Sequence, residues 1–116
     1  MNASERAKKV KFIDLSLFEA YLSLRKGTFE EKTLSNYLDR AFDDLKQNPF
    51  AGIPVTRALW PKAYSKYSIT NLRKYDLPNG WRLIYTLEGN ELEIVSILLE
   101  WFSHKNYEKR FGYRNK

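Results

Sequence analysis

The chain contains no cysteine, and among its 116 residues there is one histidine and one methionine. Without cysteine there is neither a disulfide framework nor a thiolate metal site. His104 alone is a poor basis for an imidazole metal site. Both absences fit a cytoplasmic protein. Long apolar runs are missing as well. The run at 94–99 is interrupted by Ser96 and stopped by Glu100, far short of the ~20 apolar residues a membrane-spanning helix needs. No membrane partner is expected. The opening MNASERAKKVKF has no apolar signal core, and residues 1–7 are expected to fray. A glycine-rich phosphate loop, a G-x-S-x-G elbow, metal-ligand spacing and an obvious carboxylate pair are all lacking. Any catalysis has to come from Arg, Lys, His and Tyr, without metal or cofactor.

What is present is an ordinary globular balance, 43% hydrophobic and 29% charged, in a length that supports one core. With no repeats or linkers, residues 1–116 read as a single domain. The net charge of +6 is unevenly spread. Residues 1–11 hold four basic and one acidic residue, residues 61–82 five and one, and residues 103–116 five and one. Residues 83–102 hold four acidic residues and no basic one. Basic blocks of this kind suit a polyanion such as RNA or DNA. The plainer reading is that they keep the chain soluble.

Periodicity and turn chemistry give the element order. Residues 10–15 read as a short strand, with Phe12 and Ile13 on opposite faces. The S-L-F-E stretch from Ser16 to Glu19 reads as a capping box opening an apolar helix, which Gly27 closes as a C′ residue. The T-F-E-E stretch from Thr28 to Glu31 is a second capping box. Its helix carries Leu34, Leu38, Ala41, Phe42 and Leu45 on one face and stops at Asn48-Pro49. Residues 50–60 are irregular, with a short strand near 55–59, and PKAYSKY at 61–67 is a basic–aromatic loop or a single helical turn. Three antiparallel strands follow at 72–77, 81–87 and 92–102, joined by P-N-G and E-G-N turns. The last strand is apolar on both faces and belongs mid-sheet. A basic tail ends the chain. Segregated helices and strands make this an α+β fold, with a helical hairpin on one face of a small antiparallel sheet and the other face open.

Cationic side chains with one proton carrier suit chemistry at phosphate: the cations hold the phosphodiester and one group moves a proton. Arg82 shares a strand face with Ile84 and Thr86, on a platform suited to phosphate. Its plainer role is a salt bridge, for example to Asp76. Arg73 and Lys74 point to opposite faces, so at most one joins Arg82, and parity does not say which. His104 lies just past the third strand with Tyr107 three residues on. The His suits general acid or base work, and the Tyr suits base stacking or donation to phosphate. Lys105, Lys109 and Arg110 beside them, and Lys66 before the strands, add cationic field for RNA. Tyr64, Tyr67, Tyr75, Trp60 and Trp81 interleave with these residues, as stacking on single-stranded RNA requires. Tyr85 and Trp101 are expected in the core.

The pattern N-L-x-x-Y-x-L-x-x-G-W-R-L-I-Y from Asn71 to Tyr85, an acidic turn, an apolar strand and then H-K-x-Y resembles the RelE/ParE toxins of type II toxin–antitoxin pairs. The strand–helix–helix order and the N-P-F-A-G segment from Asn48 to Gly52 fit the same layout, so the resemblance covers about residues 8–113. Its most specific part is W-R-L-I-Y. It implies a microbial-ribonuclease-like fold, a twisted antiparallel sheet with the helical hairpin packed on one face. It further implies a cognate antitoxin as partner. The RelE branch cuts mRNA on the ribosome by attack of the 2′-hydroxyl on the adjacent phosphate, without metal. The ParE branch poisons DNA gyrase. By this resemblance Arg82 matches the family's strand arginine, and Arg73 or Lys74 its preceding basic position. His104 falls near its C-terminal catalytic position and Tyr107 near its C-terminal tyrosine. Lys105 stands where many relatives have Arg. The acidic base of some members has no clear counterpart, which leaves an altered or inactive relative open.

Overall fold

A computed structural model describes residues 6–112. The far N-terminal part of the expected fraying, and Tyr113 at the end of the matched stretch, lie outside the described residues. The first strand, β1, is Ala7–Phe12 and starts earlier than periodicity suggests. Helices α1 (Leu15–Leu24) and α2 (Phe29–Gln47) follow. Then come β2 (Ile53–Pro54), 3-10 turns at Arg57–Leu59 and Lys62–Tyr67, β3 (Arg73–Asp76), β4 (Arg82–Gly89), β5 (Glu93–Phe102) and α3 (His104–Phe111). The α+β class holds. The expected strand near 55–59 is instead β2 followed by a 3-10 turn.

The strands form one sheet in the order β1-β5-β4-β3-β2. The meander β3-β4-β5 is antiparallel throughout, and β5 lies inside the sheet as its two-sided apolar run requires. β1 runs parallel to β5, so the sheet is mixed rather than wholly antiparallel. The loop at Asn79 and Gly80 reverses the chain with φ of 60° and 80°, the left-handed region that Asn and Gly tolerate. The next turn sits one step later than E-G-N. Asn90 Oδ1 accepts from the backbone of Leu92 and Glu93, closing an Asx turn.

Two helix ends differ in outcome. Thr28 and Glu31 form the expected capping box on α2. α1 starts earlier than Ser16: Asp14 is its cap, its carboxylate accepting from Leu17 N at 2.8 Å. Nor is Gly27 a left-handed C′ residue. Arg25 caps α1 in right-handed geometry, and Gly27 N bonds back to Leu24 O.

The helical hairpin covers one sheet face. Leu34, Leu38, Ala41 and Leu45 of α2 pack with Leu83, Tyr85 and Leu98, and Trp81 and Trp101 lie half-buried against them. The opposite face is not open. The 3-10 turn Lys62–Tyr67 and α3 cover it, with Tyr64, Tyr107 and Phe111 packed on Ile84, Ile97 and Leu99. The expected basic tail is thus in large part a packed helix, capped by Ser103 and ended by Gly112 at φ 75°. A register shift fixes which side chains meet on that face. Ile84 pairs with Glu100 and Tyr85 with Leu98, which leaves Leu99 as an extra residue. Such a bulge re-aims the strand. Leu99 and Glu100 both turn to the α3 side, and Trp101 recovers the helical-hairpin side.

Candidate phosphate-binding site

Pairing across β3 and β4 decides which basic residue accompanies Arg82. Lys74 pairs with Ile84 and Asp76 with Arg82, so Lys74, Ile84 and Arg82 face the α3 layer together. Lys74 Nζ lies 5.6 Å from the centre of the Tyr107 ring, and Arg82 Cζ lies 5.5 Å from it. Two cations thus rest on one aromatic face. Asp76 holds them together. Its Oδ1 is 3.0 Å from Arg82 Nε and 3.6 Å from Lys74 Nζ. The Arg82–Asp76 contact is close but poorly aligned, and Arg82 Nε makes no oriented hydrogen bond. Arg82 Nη1 donates to the carbonyl of Gly80 at 2.8 Å. The guanidinium is therefore fixed at one end by the β3–β4 turn, with donors left for an acceptor from outside.

His104 stands on the other side of Gly80. It is the first residue of α3, just after the cap Ser103. A Cβ added at Gly80 would come within 3.0 Å of the Cβ of His104. The imidazole is 60% exposed, with Nε2 3.5 Å from Glu108 Oε1 one turn along the helix. It points to solvent and not into the helical layer. Lys74, Arg82, Asp76 and His104 accordingly border one surface at the β3–β4 turn and the start of α3. Its charge is largely compensated: two cations share one carboxylate, and the His has another beside it.

Other expected site residues fall elsewhere. Arg73 lies on the helical-hairpin side. Its Nη2 donates to the Gly52 carbonyl at 2.8 Å, and its guanidinium covers the Phe50 ring at 5.4 Å. It therefore braces the 50–52 loop instead of meeting Arg82. Tyr85 pins the same loop, donating to Pro49 O at 2.7 Å and accepting from Gly52 N at 2.9 Å. The two segments that carry the resemblance are thus bonded to each other. Tyr107 is 3% exposed and stacks on Phe111 at 4.6 Å, so it cannot stack on a base. Its ring lies beneath the two cations. Lys105 is exposed on the first turn of α3. Lys109 and Arg110 lie on the other flank of α3, facing Lys62 and Phe102. Lys66 lies further round, over the Tyr67 ring at 5.2 Å.

The interleaved aromatics are mostly structural. Tyr64 is buried, and the Tyr75 hydroxyl donates to Asp44 of α2. Trp60 Nε1 donates to Val55 O at 2.8 Å, and Trp81 packs under the hairpin. Of the five, Tyr67 is half-buried beside an exposed cation.

Sequence reasoning missed Gly80 and Glu108 as members of the site, and it weighed Asp76 only as a salt-bridge partner. The N-G turn and the i, i+4 spacing of His104 and Glu108 were the available signals. Among the described residues, no group of three or more His, Cys, Asp or Glu side chains is placed to hold a metal ion, and no helix is long and apolar enough to cross a membrane. Comparison with protein-family models, curated proteins and solved structures returns no match.

Proposed function

We propose that this chain is a RelE-like toxin of a type II toxin–antitoxin pair, a metal-independent endoribonuclease that cleaves mRNA on the ribosome in the cytoplasm. The observation that carries the reading is the pairing of Lys74 and Arg82 on Tyr107, bordered by the exposed His104. In this reading an RNA phosphate takes the place of the Asp76 carboxylate. Arg82 and Lys74 hold its two non-bridging oxygens and stabilise the charge that grows on them. His104 moves the proton, from the attacking 2′-hydroxyl or to the departing 5′-oxygen. Tyr107 keeps the cations in place without touching substrate. The cognate antitoxin would neutralise the toxin.

One observation favours a second reading. Asp76 compensates both cations, and the Glu108 carboxylate stands beside His104 in the same way. A relative that binds RNA or protein without cleaving, or a ParE-like chain directed at DNA gyrase, is consistent with that balance. Controlled expression of the wild type and of Arg82→Ala, followed by pulse labelling of protein and by plasmid supercoiling, separates the readings. Early loss of protein synthesis that requires Arg82 supports the ribonuclease. Loss of supercoiling with continuing synthesis supports the gyrase reading, and neither effect supports the binding module.

A further inference from the structure

The helical hairpin leaves one end of its sheet face uncovered. α2 stops at Gln47, and the loop after it is pinned at Tyr85. Further along β4, Leu87 and Gly89 lie on the same side as Tyr85, because alternate residues of a strand share a face. Ile94 of β5 pairs with Gly89. A cavity of about 270 Å³ lies over these residues, with Phe50, Arg73 and Arg6 around it. Arg73 reaches it from β3, where its Nη2 donates to the carbonyls of Gly52 and Phe50 at 2.8 and 3.3 Å. Arg6 reaches it from just before β1, where its Nη1 donates to Asn90 O at 3.2 Å. Each guanidinium keeps N–H donors beyond these bonds. Arg82 has Asp76 beside it, and Arg110 has Glu100. Among the described residues, neither Arg6 nor Arg73 is ion-paired with a carboxylate. Glu88 stands exposed at the rim and pairs with neither. Two half-buried guanidinia over an apolar floor, with no counter-charge of their own, favour an anion from outside.

We propose that this cavity binds a carboxylate carried on an apolar body, with Arg6 and Arg73 on the carboxylate and Leu87, Ile94 and Phe50 around the body. The planar fork of a guanidinium matches a carboxylate in geometry as well as charge. The apolar floor and the Glu88 carboxylate at the rim disfavour a doubly charged, strongly hydrated phosphate. The cavity lies just below the ~300–1,000 Å³ of pockets for drug-sized ligands, so it admits one ring or one branched side chain. A free small acid and the last residue of a peptide chain share this chemistry. The site lies at the far end of β4 from Arg82, on the other face of the sheet from Lys74 and Arg82. It does not rest on the RNA reading.

The test is titration of the full chain with phenylacetate, phenylacetamide and inorganic phosphate, followed by amide chemical shifts. Phenylacetate is expected to bind about tenfold tighter than the neutral amide, the difference that a charge-assisted hydrogen bond supplies. Its shifts should centre on Arg73, Gly89 and Ile94. Arg6→Gln should abolish the preference while the spectrum stays that of the folded chain, because Arg6 lies outside the core. Glu88→Gln should tighten phenylacetate binding. A short peptide ending in phenylalanine, with its carboxylate free or amidated, separates the two sources. Displacement of phenylacetate by the free-carboxylate peptide alone assigns the site to a chain end, and exclusion of both peptides assigns it to a free acid; either upholds the chemistry. Equal binding of acid and amide overturns the proposal, as does phosphate binding as tightly at the same amides. So does a preference that survives Arg6→Gln, or shifts confined to the Arg82 surface. RNA cleavage by the Arg6→Gln variant should be unchanged, so this site and the ribonuclease reading fail separately.

Discussion

Gly80 packs directly against His104: a side-chain carbon placed on Gly80 would meet the Cβ of His104 at 3.0 Å. The same glycine offers its carbonyl to Arg82 and holds φ at 80°. One small residue therefore joins the β3–β4 turn, the arginine and the start of α3. Gly80→Ala adds strain in left-handed backbone, ~1–2 kcal/mol, and pushes on a helix terminus that cannot rotate away. The expected result is that loss of stability in urea unfolding, together with reduced activity. Unchanged stability and activity would mean that this contact does not set the site.

Asp76 governs how much charge the site presents. Asp76→Asn leaves Lys74 and Arg82 without their shared carboxylate. RNA should then bind more tightly, with a salt dependence steeper by about 0.7 in log–log slope, the increment for one more phosphate contact on a single strand. Stability should change little, because the carboxylate is half-exposed and its pairs are screened. Filter binding at several salt concentrations reads both quantities. Weaker binding would show that Asp76 orients the cations more than it masks them.

Under the proposed function, Tyr107 supports the two cations that lie over its ring and does not react. Tyr107→Phe keeps the ring under both cations and should keep RNA binding. Tyr107→Ala removes a buried ring and should cost ~3–5 kcal/mol of stability along with RNA affinity. Thermal unfolding and RNA binding on the same two variants check this. A folded Phe variant without activity would instead assign chemistry to the hydroxyl.

Alkali should loosen the helical hairpin. Burial first, and then the hydrogen bond to Asp39, push the pKa of Tyr21 up to about 12; burial and Asp44 do the same for Tyr75. In the unfolded chain both ionise near 10. The unfolded state thus gives up its protons first as the pH rises. The stability these groups contribute is complete below pH 10 and is lost as the pH climbs to 12. Unfolding free energies across that window should fall, and Tyr21→Phe should fall less steeply. A flat profile would mean that these hydroxyls are free to ionise in the fold.

Much of this architecture is legible locally. The Thr28 and Glu31 box, the apolar face of α2, the N-G turn and the order of β3, β4 and β5 each follow from residues within a few positions of one another. What escaped depends on distant partners or on competition between neighbours. Asp14 and Ser16 are both capping residues two positions apart, and Asp14 takes the helix. The parallel pairing of β1 with β5 joins residues more than eighty positions apart, which no turn announces. Charge density in the tail hid the Tyr107 and Phe111 pair and its Gly112 stop, and so hid α3. Register across β3 and β4 had to be seen before Lys74 could be chosen over Arg73.

Mapping of RNA 5′ ends in a cell-free translation reaction tests the central claim most directly. The reaction is run with wild-type protein, Arg82→Ala and His104→Ala. New mRNA ends inside translated codons, lost in both variants while each remains folded, are the predicted result. No new ends with wild-type protein, or ends that persist in Arg82→Ala, would contradict the assignment of this surface as a ribonuclease site.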